Sequence, residues 1–480
     1  MTNQESRSRR PRADPSRETS PDEAATLQDV AALPPVPRNP LSLRELLKAV
    51  REFHTGGEVL SAAGGPVTRV QFGPRWLVPP LVLVTSPGGI GEVLSRNHVF
   101  GERCIVHDEV RHLAGDSLFV LPNEQWIPRK RALQPVFTNH NVRAFGGHMS
   151  RAAQAVVDDW RAAGSADGLD VDLDLDCRRL TMQSLGRSIL GVDLNERADV
   201  IAECMHVASG YAADRALSPV RTPRWLPTPA RRRARAAVAT MLGVAEEILQ
   251  ACRADPTRDA PLVHALICAT DPVTGQALSD RDICNDLLIF MLAGHDTTAT
   301  ALTYALWALG HHPELQRRVA AEVAEIGDRE LTPADVPRLR YTRQVLDESL
   351  RLCPPAAGVG RLALRDFAVG GYRVRKGSIV AVGIQAVHRD PGLWPDPMVF
   401  DPERFAPGAG ATRKRWQFVP FSGGPRSCIG EHFALLETTL ALATIVGSTE
   451  VHSLDDDFPV EVPYTTVAKG PIRARVRARE

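Results

Sequence analysis

Residues 421–430 read Phe-Ser-Gly-Gly-Pro-Arg-Ser-Cys-Ile-Gly and set one cysteine, Cys428, in a glycine-rich turn. An apolar stretch that reads as a helix over 429–447 follows at once. Gly423 and Gly424 permit a tight turn with positive φ. Amides at the start of the following helix point towards the sulfur and favour its thiolate. A thiolate held this way can bind a metal. Gly430, without a side chain, lets the helix approach a flat ligand, and Arg426 can pair with an anionic group on that ligand. Zinc fits poorly, because Cys428 and His432 have no second ligand pair nearby.

A second constellation, Ala293-Gly294-His295-Asp296-Thr297-Thr298, lies within the longest apolar segment, Leu287 to Leu309. An acid beside a hydroxyl inside a core helix is costly unless it is used. Gly294 weakens the helix and is expected to let it widen locally, admitting a ligand or water. The polar centre makes this segment a core helix, not a lipid-facing one. Glu348-Ser-Leu-Arg351 can pair along one helix face. It precedes Cys353-Pro354-Pro355, and Pro402-Glu403-Arg404-Phe405 follows later. Trp126-Ile-Pro-Arg-Lys130-Arg131 places an aromatic and several cations in one helical stretch.

Together these motifs resemble the haem-thiolate monooxygenases, the cytochrome P450 family, in its soluble bacterial form. The spacing Phe-x-x-Gly-x-Arg-x-Cys-x-Gly is complete. The resemblance implies haem b (iron protoporphyrin IX), with iron on Cys428 and Phe421, Gly424, Arg426, Gly430 and Ala293 around the ring. It implies propionate contacts from Trp126, from Lys130 or Arg131, and from Arg361. Lys130 stands where Arg is more usual, which leaves the choice between 130 and 131 open, and Pro128 is a departure near that helix start. Thr297 is implied to hydrogen-bond O2 and Asp296 to feed protons towards it. Glu348, Arg351 and Arg404 are implied to form a buried brace.

The same resemblance implies insertion of one oxygen atom from O2 into an apolar small molecule: a fatty acid, terpenoid, steroid or polyketide. The pocket is expected from 101–122, 205–229, Phe290, Ala293, Ala356–Val359 and Thr465–Val467. The Cys-Pro-Pro turn and Pro402–Phe405 lean towards the branch that includes fatty-acid hydroxylases. No flavin or iron–sulfur module is visible. Electrons are therefore expected from a ferredoxin or flavodoxin with its NAD(P)H reductase, attracted by Arg129–Arg131 and Arg413–Arg415. The alternatives are a peroxide-driven haem-thiolate enzyme, a non-catalytic haem sensor or carrier, and a non-haem structural protein. The Asp296–Thr297 pair argues against the peroxide-driven reading.

The elements that must position these residues belong to a chain of 480 residues, with 57 basic and 57 acidic side chains. Zero formal net charge argues against nucleic-acid binding. Eight dispersed cysteines without a Cys-x-x-Cys pair suit a reduced, cytoplasmic protein. No secretory signal or transmembrane anchor is visible, and no apolar run follows Arg9-Arg10. Residues 1–33 read as a disordered tail and 34–480 as one domain, taken as monomeric. The fold class expected is mainly α (α+β), a P450-like helical fold with a small β-sheet portion. Helices are expected at 126–163, 177–210, 230–254, 280–311, 313–326 and 340–352. Strands are expected at 67–72, 81–85, 169–176, 361–369, 372–375 and 378–383, and 101–122 reads as a long loop. Gly88-Gly89-Ile90-Gly91 lacks the full dinucleotide spacing. Arg231-Arg232-Arg233-Ala-Arg235 reads as a solvated helix face.

Overall fold

The computed structural model describes residues 29–479, apart from 77, 97–100, 166, 218–221 and 271–274. Its axis is the 32-residue helix Asp280–His311. Ser279 caps this helix by accepting from the Asp282 amide at 3.1 Å, and Asp280 and Asp282 suit the positive end of its dipole. Leu287, Leu288, Met291, Leu302 and Leu306 are buried along its length. Helix Leu173–Leu185 and the last helix, Glu431–Ser448, pack against it. Helix Gly146–Ala163 backs the last helix, and Ala198–Leu217 packs on Pro229–Ala254.

The β portion is small. One five-stranded sheet runs in the order Val67–Val70, Leu81–Val84, Ile379–Gly383, Gly358–Ala363, Gly101–Glu102. Leu81–Val84 and Ile379–Gly383 pair in parallel; the other neighbours are antiparallel. Gly91 and Gly423 both leave room for the Trp416 ring, so part of the Gly88–Gly91 run serves packing. Among the described residues no helix is long and apolar enough to cross a membrane.

Several expectations are corrected. The stretch 101–122 is not a loop: it holds the short edge strand and helix Ile105–Ala114. That helix is ten residues long and its N-cap, Cys104, offers no capping side-chain bond, so it gives little local signal. The alternation at 169–176 is extended only to Asp172, whose carboxylate caps the next helix through the Asp174 and Leu175 amides. The helical reading of 126–163 is broken after Leu133, next to Pro135, before the helix resumes at Gly146. The reading of 177–210 is broken at Gly191, which adopts φ 68. Residues 29–32 form a helical turn with Val30 buried, whereas 1–28 of the expected tail lie outside the described residues. The central helix does not widen at Gly294. It stays α-helical, and a Cβ there would come within 2.8 Å of Leu185 Cδ1.

A buried charge brace locks the loop 396–404 onto helix Arg340–Leu352. Arg351 donates to both oxygens of Glu348 at 2.7 Å, and both side chains are fully buried. Its remaining hydrogens go to the carbonyls of His388, Pro397 and Val399. Arg404 approaches Glu348 at 3.4 Å, and the Asp401 amide donates to it at 2.9 Å. Hydrogen bonds to both carboxylate oxygens, beyond the charge pairing, are what allow such a pair to persist in the core.

Glu437, in the last helix, lacks such partners. It is 1% exposed, and neither carboxylate oxygen makes a well-formed hydrogen bond. Ser184 lies near enough to pull its pKa down, but burial dominates and pushes it up to about 8. Folding therefore favours the protonated acid. Stability is full below about pH 4.5, its unfolded value, and declines as pH rises towards 8. Glu437→Gln removes this ionisation. Its melting temperature should match the parent near pH 5 and exceed it at pH 8, by an amount equivalent to about 2–4 kcal/mol. Parallel melting curves at both pH values, showing no divergence, would contradict this.

Candidate active site: a cysteine turn beside buried cations

The cysteine turn is held by its own backbone. The Cys428 amide donates to the Phe421 carbonyl at 3.0 Å, and the Ser427 amide to Gly424 at 3.0 Å. Ser422 and Gly424 take φ values of 62 and 71. A Cβ at Gly424 would overlap the Leu94 carbonyl, so glycine is required there. Lys130 ties the turn to helix Asn123–Leu133: its Nζ donates to the carbonyls of Pro425 at 2.6 Å and Ser427 at 3.2 Å.

Cys428 presents open surface although protein surrounds it deep in the fold, so its sulfur faces an internal space. Burial pushes its thiol up to about 11, against the pull of the Gly430 amide and Lys130. The expected thiolate preference from the helix terminus is therefore outweighed. The free thiol stays protonated at neutral pH, and a coordinating metal must supply the drive to ionise it.

Beside the turn, buried Arg361 and Arg426 and half-buried Arg103 and Lys130 outnumber the acids. Arg426 lies 4.3 Å from the Trp126 ring centroid and Lys130 lies 5.2 Å from it. Arg426 donates to Asn123 Oδ1 and to the Leu121 carbonyl and pairs with Glu102 at 3.4 Å, while its Nη1 has no hydrogen-bond partner. Arg103 contacts His107 at 3.2 Å and lies over the Phe119 ring. Arg361 donates to the Gly360 carbonyl. Burial first, then mutual repulsion with Arg103, lowers Arg426 to about 9 and Arg361 to about 10. The same burial and the three guanidinium groups hold His107 well below its usual range. Glu102 is the one carboxylate acting on these arginines among the described residues. Four cations against one carboxylate leave an excess of positive charge that fits a dianionic ligand, which the two propionates of a haem would supply.

The segment Ala293–Thr297 alternates in burial. His295 and Asp296 are buried, whereas Ala293 is exposed and Thr297 partly so. Thr297 Oγ1 donates to the Ala293 carbonyl at 2.7 Å. His295 shares a hydrogen bond with Thr181 at 3.1 Å, and burial takes it down to about 4, so it is neutral. Asp296 is paired with Arg178 at 2.5 Å, and Arg178 in turn with Asp174 at 2.6 Å. Asp296, Arg178 and Asp174 line a cavity of about 360 Å³ shared with His206 and Glu461.

A family model for cytochrome P450 matches residues 34–475. The chain belongs to this family. The P450 is 34% identical to the cyclooctat-9-en-7-ol 5-monooxygenase of Streptomyces melanosporofaciens, across 80% of this chain and 82% of that one. It is 31% identical to the cyclooctatin synthase of the same organism, across 86% and 88%. The solved haem domain of cytochrome P450DA superposes with a TM-score of 0.79 at 28% identity, covering 93% of this P450 and 98% of that chain. The family implies a haem-thiolate iron cofactor, and its members named here are oxidoreductases.

The fold brings Trp126, Lys130, Arg361, Arg426 and the turn Phe421–Gly430 into one region of this P450. It does not bring Arg131, which is exposed one position beyond Lys130. Arg129 is not a surface cation either: it is ion-paired at 2.9 Å with the fully buried Asp286. Arg413 is partly buried, with its guanidinium over the Trp394 and Phe405 rings, leaving Lys414 and Arg415 exposed. Arg103 and His107 were missed because 101–122 read as a loop; their spacing of four is the helical signal that would reveal them. Arg178 stands four residues after Asp174 in the same way. In haemin titrations of the apoprotein, Arg426→Gln should weaken haem affinity about tenfold or more, while Arg131→Gln leaves it unchanged. Equal losses in the two variants would contradict this reading.

Proposed function

We propose that this P450 is an O2-dependent monooxygenase of cyclic terpenoids, with haem b on Cys428 and electrons from a separate ferredoxin or flavodoxin and its NAD(P)H reductase. The observation that carries the haem reading is the cluster of buried Arg361 and Arg426 and half-buried Arg103 and Lys130 beside the Cys428 turn, with Glu102 the one carboxylate acting on its arginines among the described residues. When bound, haem supplies the reductive activation of O2 that places one oxygen atom on the substrate and releases the other as water. Cys428 would hold the iron, the cation cluster would fix the haem carboxylates, and Phe421, Gly424 and Gly430 would lie against the ring. Ala293 would leave space beside it.

Thr297 and Asp296 divide the proton work in this reading. The Thr297 hydroxyl, now given to the Ala293 carbonyl, can turn to donate on the ligand side. Asp296 can exchange its Arg178 partner for water of the adjacent 360 Å³ cavity and so take up solvent protons. A positioned acid of this kind contributes roughly 10²–10⁴-fold. This arrangement gives a peroxide-driven reading no role for either residue. Residues 34–480 act in this reading as one monomeric domain in the cytoplasm.

Substrate class draws on the relatives. The Cys-Pro-Pro turn leans towards fatty-acid hydroxylases, but the two Streptomyces relatives are named for cyclooctat-9-en-7-ol and cyclooctatin. A bulky alicyclic substrate also suits the small residues Ala356, Ala357 and Gly358. Spectral titration with cyclic terpenoids and with fatty acids, followed by turnover under ¹⁸O2, tests this. Label in a terpenoid alcohol supports the reading; hydroxylated fatty acid with no terpenoid product overturns it. In the same assay Thr297→Ala should reduce product per NAD(P)H about tenfold and raise hydrogen peroxide, with substrate affinity unchanged. Unaltered coupling would remove Thr297 from proton delivery.

A further inference from the structure

The turn joining Val67–Val70 to Leu81–Val84, together with the neighbouring strands, carries charge that the active site does not use. Arg38 and Arg69 face each other across an isolated bridge. Arg75 reaches the Lys376 carbonyl with its guanidinium. The pKa of Arg69 is lowered by burial and then by Arg375, Arg38 and Arg75 together, with no carboxylate among its causes. Arg38, Arg75, Arg375 and Lys376 are exposed. Asp366, which accepts the Lys376 amide at 2.7 Å, is one carboxylate within this group and offsets one of its cations. In a chain of 57 cations and 57 anions, five cations around one turn are a local excess.

The same place is apolar at its tip. Trp76, next to Arg75, is 84% exposed, and Leu364 is 41% exposed. The Gly377 amide donates to the Ala363 carbonyl, which sets Leu364 beside the Lys376 turn. A merely solvated basic face has no use for a tryptophan projected into water. An indole flanked by guanidinium groups matches the boundary layer of an anionic bilayer, where the ring enters the headgroups and the cations meet phosphate. A nucleic-acid surface is disfavoured by the zero formal net charge of the chain.

We propose that this face docks the enzyme peripherally on an anionic phospholipid bilayer, with Trp76 in the headgroup layer and Arg38, Arg75, Arg375 and Lys376 on lipid phosphates. None of these residues belongs to the catalytic or cofactor-binding set, so docking does not depend on the substrate reading. The full-length holoenzyme is sedimented with vesicles of phosphatidylcholine containing roughly a third phosphatidylglycerol, and with phosphatidylcholine alone, at about 0.1 M salt. Partition onto the anionic vesicles is expected, falling as salt rises to about 0.5 M. Arg75→Glu/Arg375→Glu should lower it at least tenfold and Trp76→Ser several-fold, with haem content and turnover of a soluble substrate unchanged. Arg7, Arg9, Arg10, Arg12 and Arg17 precede the described fold, so a full-length variant with these changed to Gln runs alongside. Retained binding in that variant supports the proposal. Loss of binding there with none in Arg75→Glu/Arg375→Glu overturns it, as does absence of partition to anionic vesicles. Loss on charge reversal with no effect of Trp76→Ser marks a generic polyanion surface and also overturns it.

Discussion

The architecture around Cys428 depends on an electrostatic imbalance. Arg103, Lys130, Arg361 and Arg426 converge from four separate stretches of chain, and Glu102 is the acid that opposes the arginines. Removing cations from water without counter-charge is costly, and the lowered pKa of Arg361 and Arg426 is the mark of that cost. A fold keeps such a cluster when a ligand supplies the missing anions. In the proposed reading the cluster would do two things: favour a flat dianionic cofactor, and make the apoprotein poorer in stability than the loaded one.

The rest of the structure serves to bring those stretches together. The central helix offers Ala293 and Thr297 on one side and spends Asp296 on Arg178 on the other. The last helix starts directly after the cysteine turn, so the turn is seated wherever that helix packs. The Glu348–Arg351 pair holds the 396–404 loop, whose position leads on to Trp416 and the turn. Cys428 itself gains little from its helix terminus: burial keeps it a thiol until a metal arrives. The cysteine turn is thus placed by packing and by charge, and its cysteine is not intrinsically acidic.

Much of this was legible in residue order. The turn Phe421–Gly430, the pair Asp296–Thr297 and the brace Glu348–Arg351 are contiguous motifs, and local spacing conveys them. Arg103 and His107 were hidden because a short helix without a capping side chain has little pattern of its own and is held by tertiary contacts. Gly294 was legible as special but for the wrong reason: it makes room for Leu185 and does not loosen the helix. Arg129 and Arg131 show the limit most directly. They are near neighbours in sequence, yet one is buried against Asp286 and the other is in solvent, and only the rotation of the helix between them decides which.

The central claim is that Cys428 holds a haem iron in the space bordered by this cluster. The carbon monoxide difference spectrum of the reduced holoenzyme tests it most directly, recorded for the parent and for Cys428→Ser at matched haem content and matched melting temperature. The account predicts a thiolate-type band in the parent and its loss in the serine variant. An unchanged band in Cys428→Ser, or a parent band of the imidazole type, would contradict it.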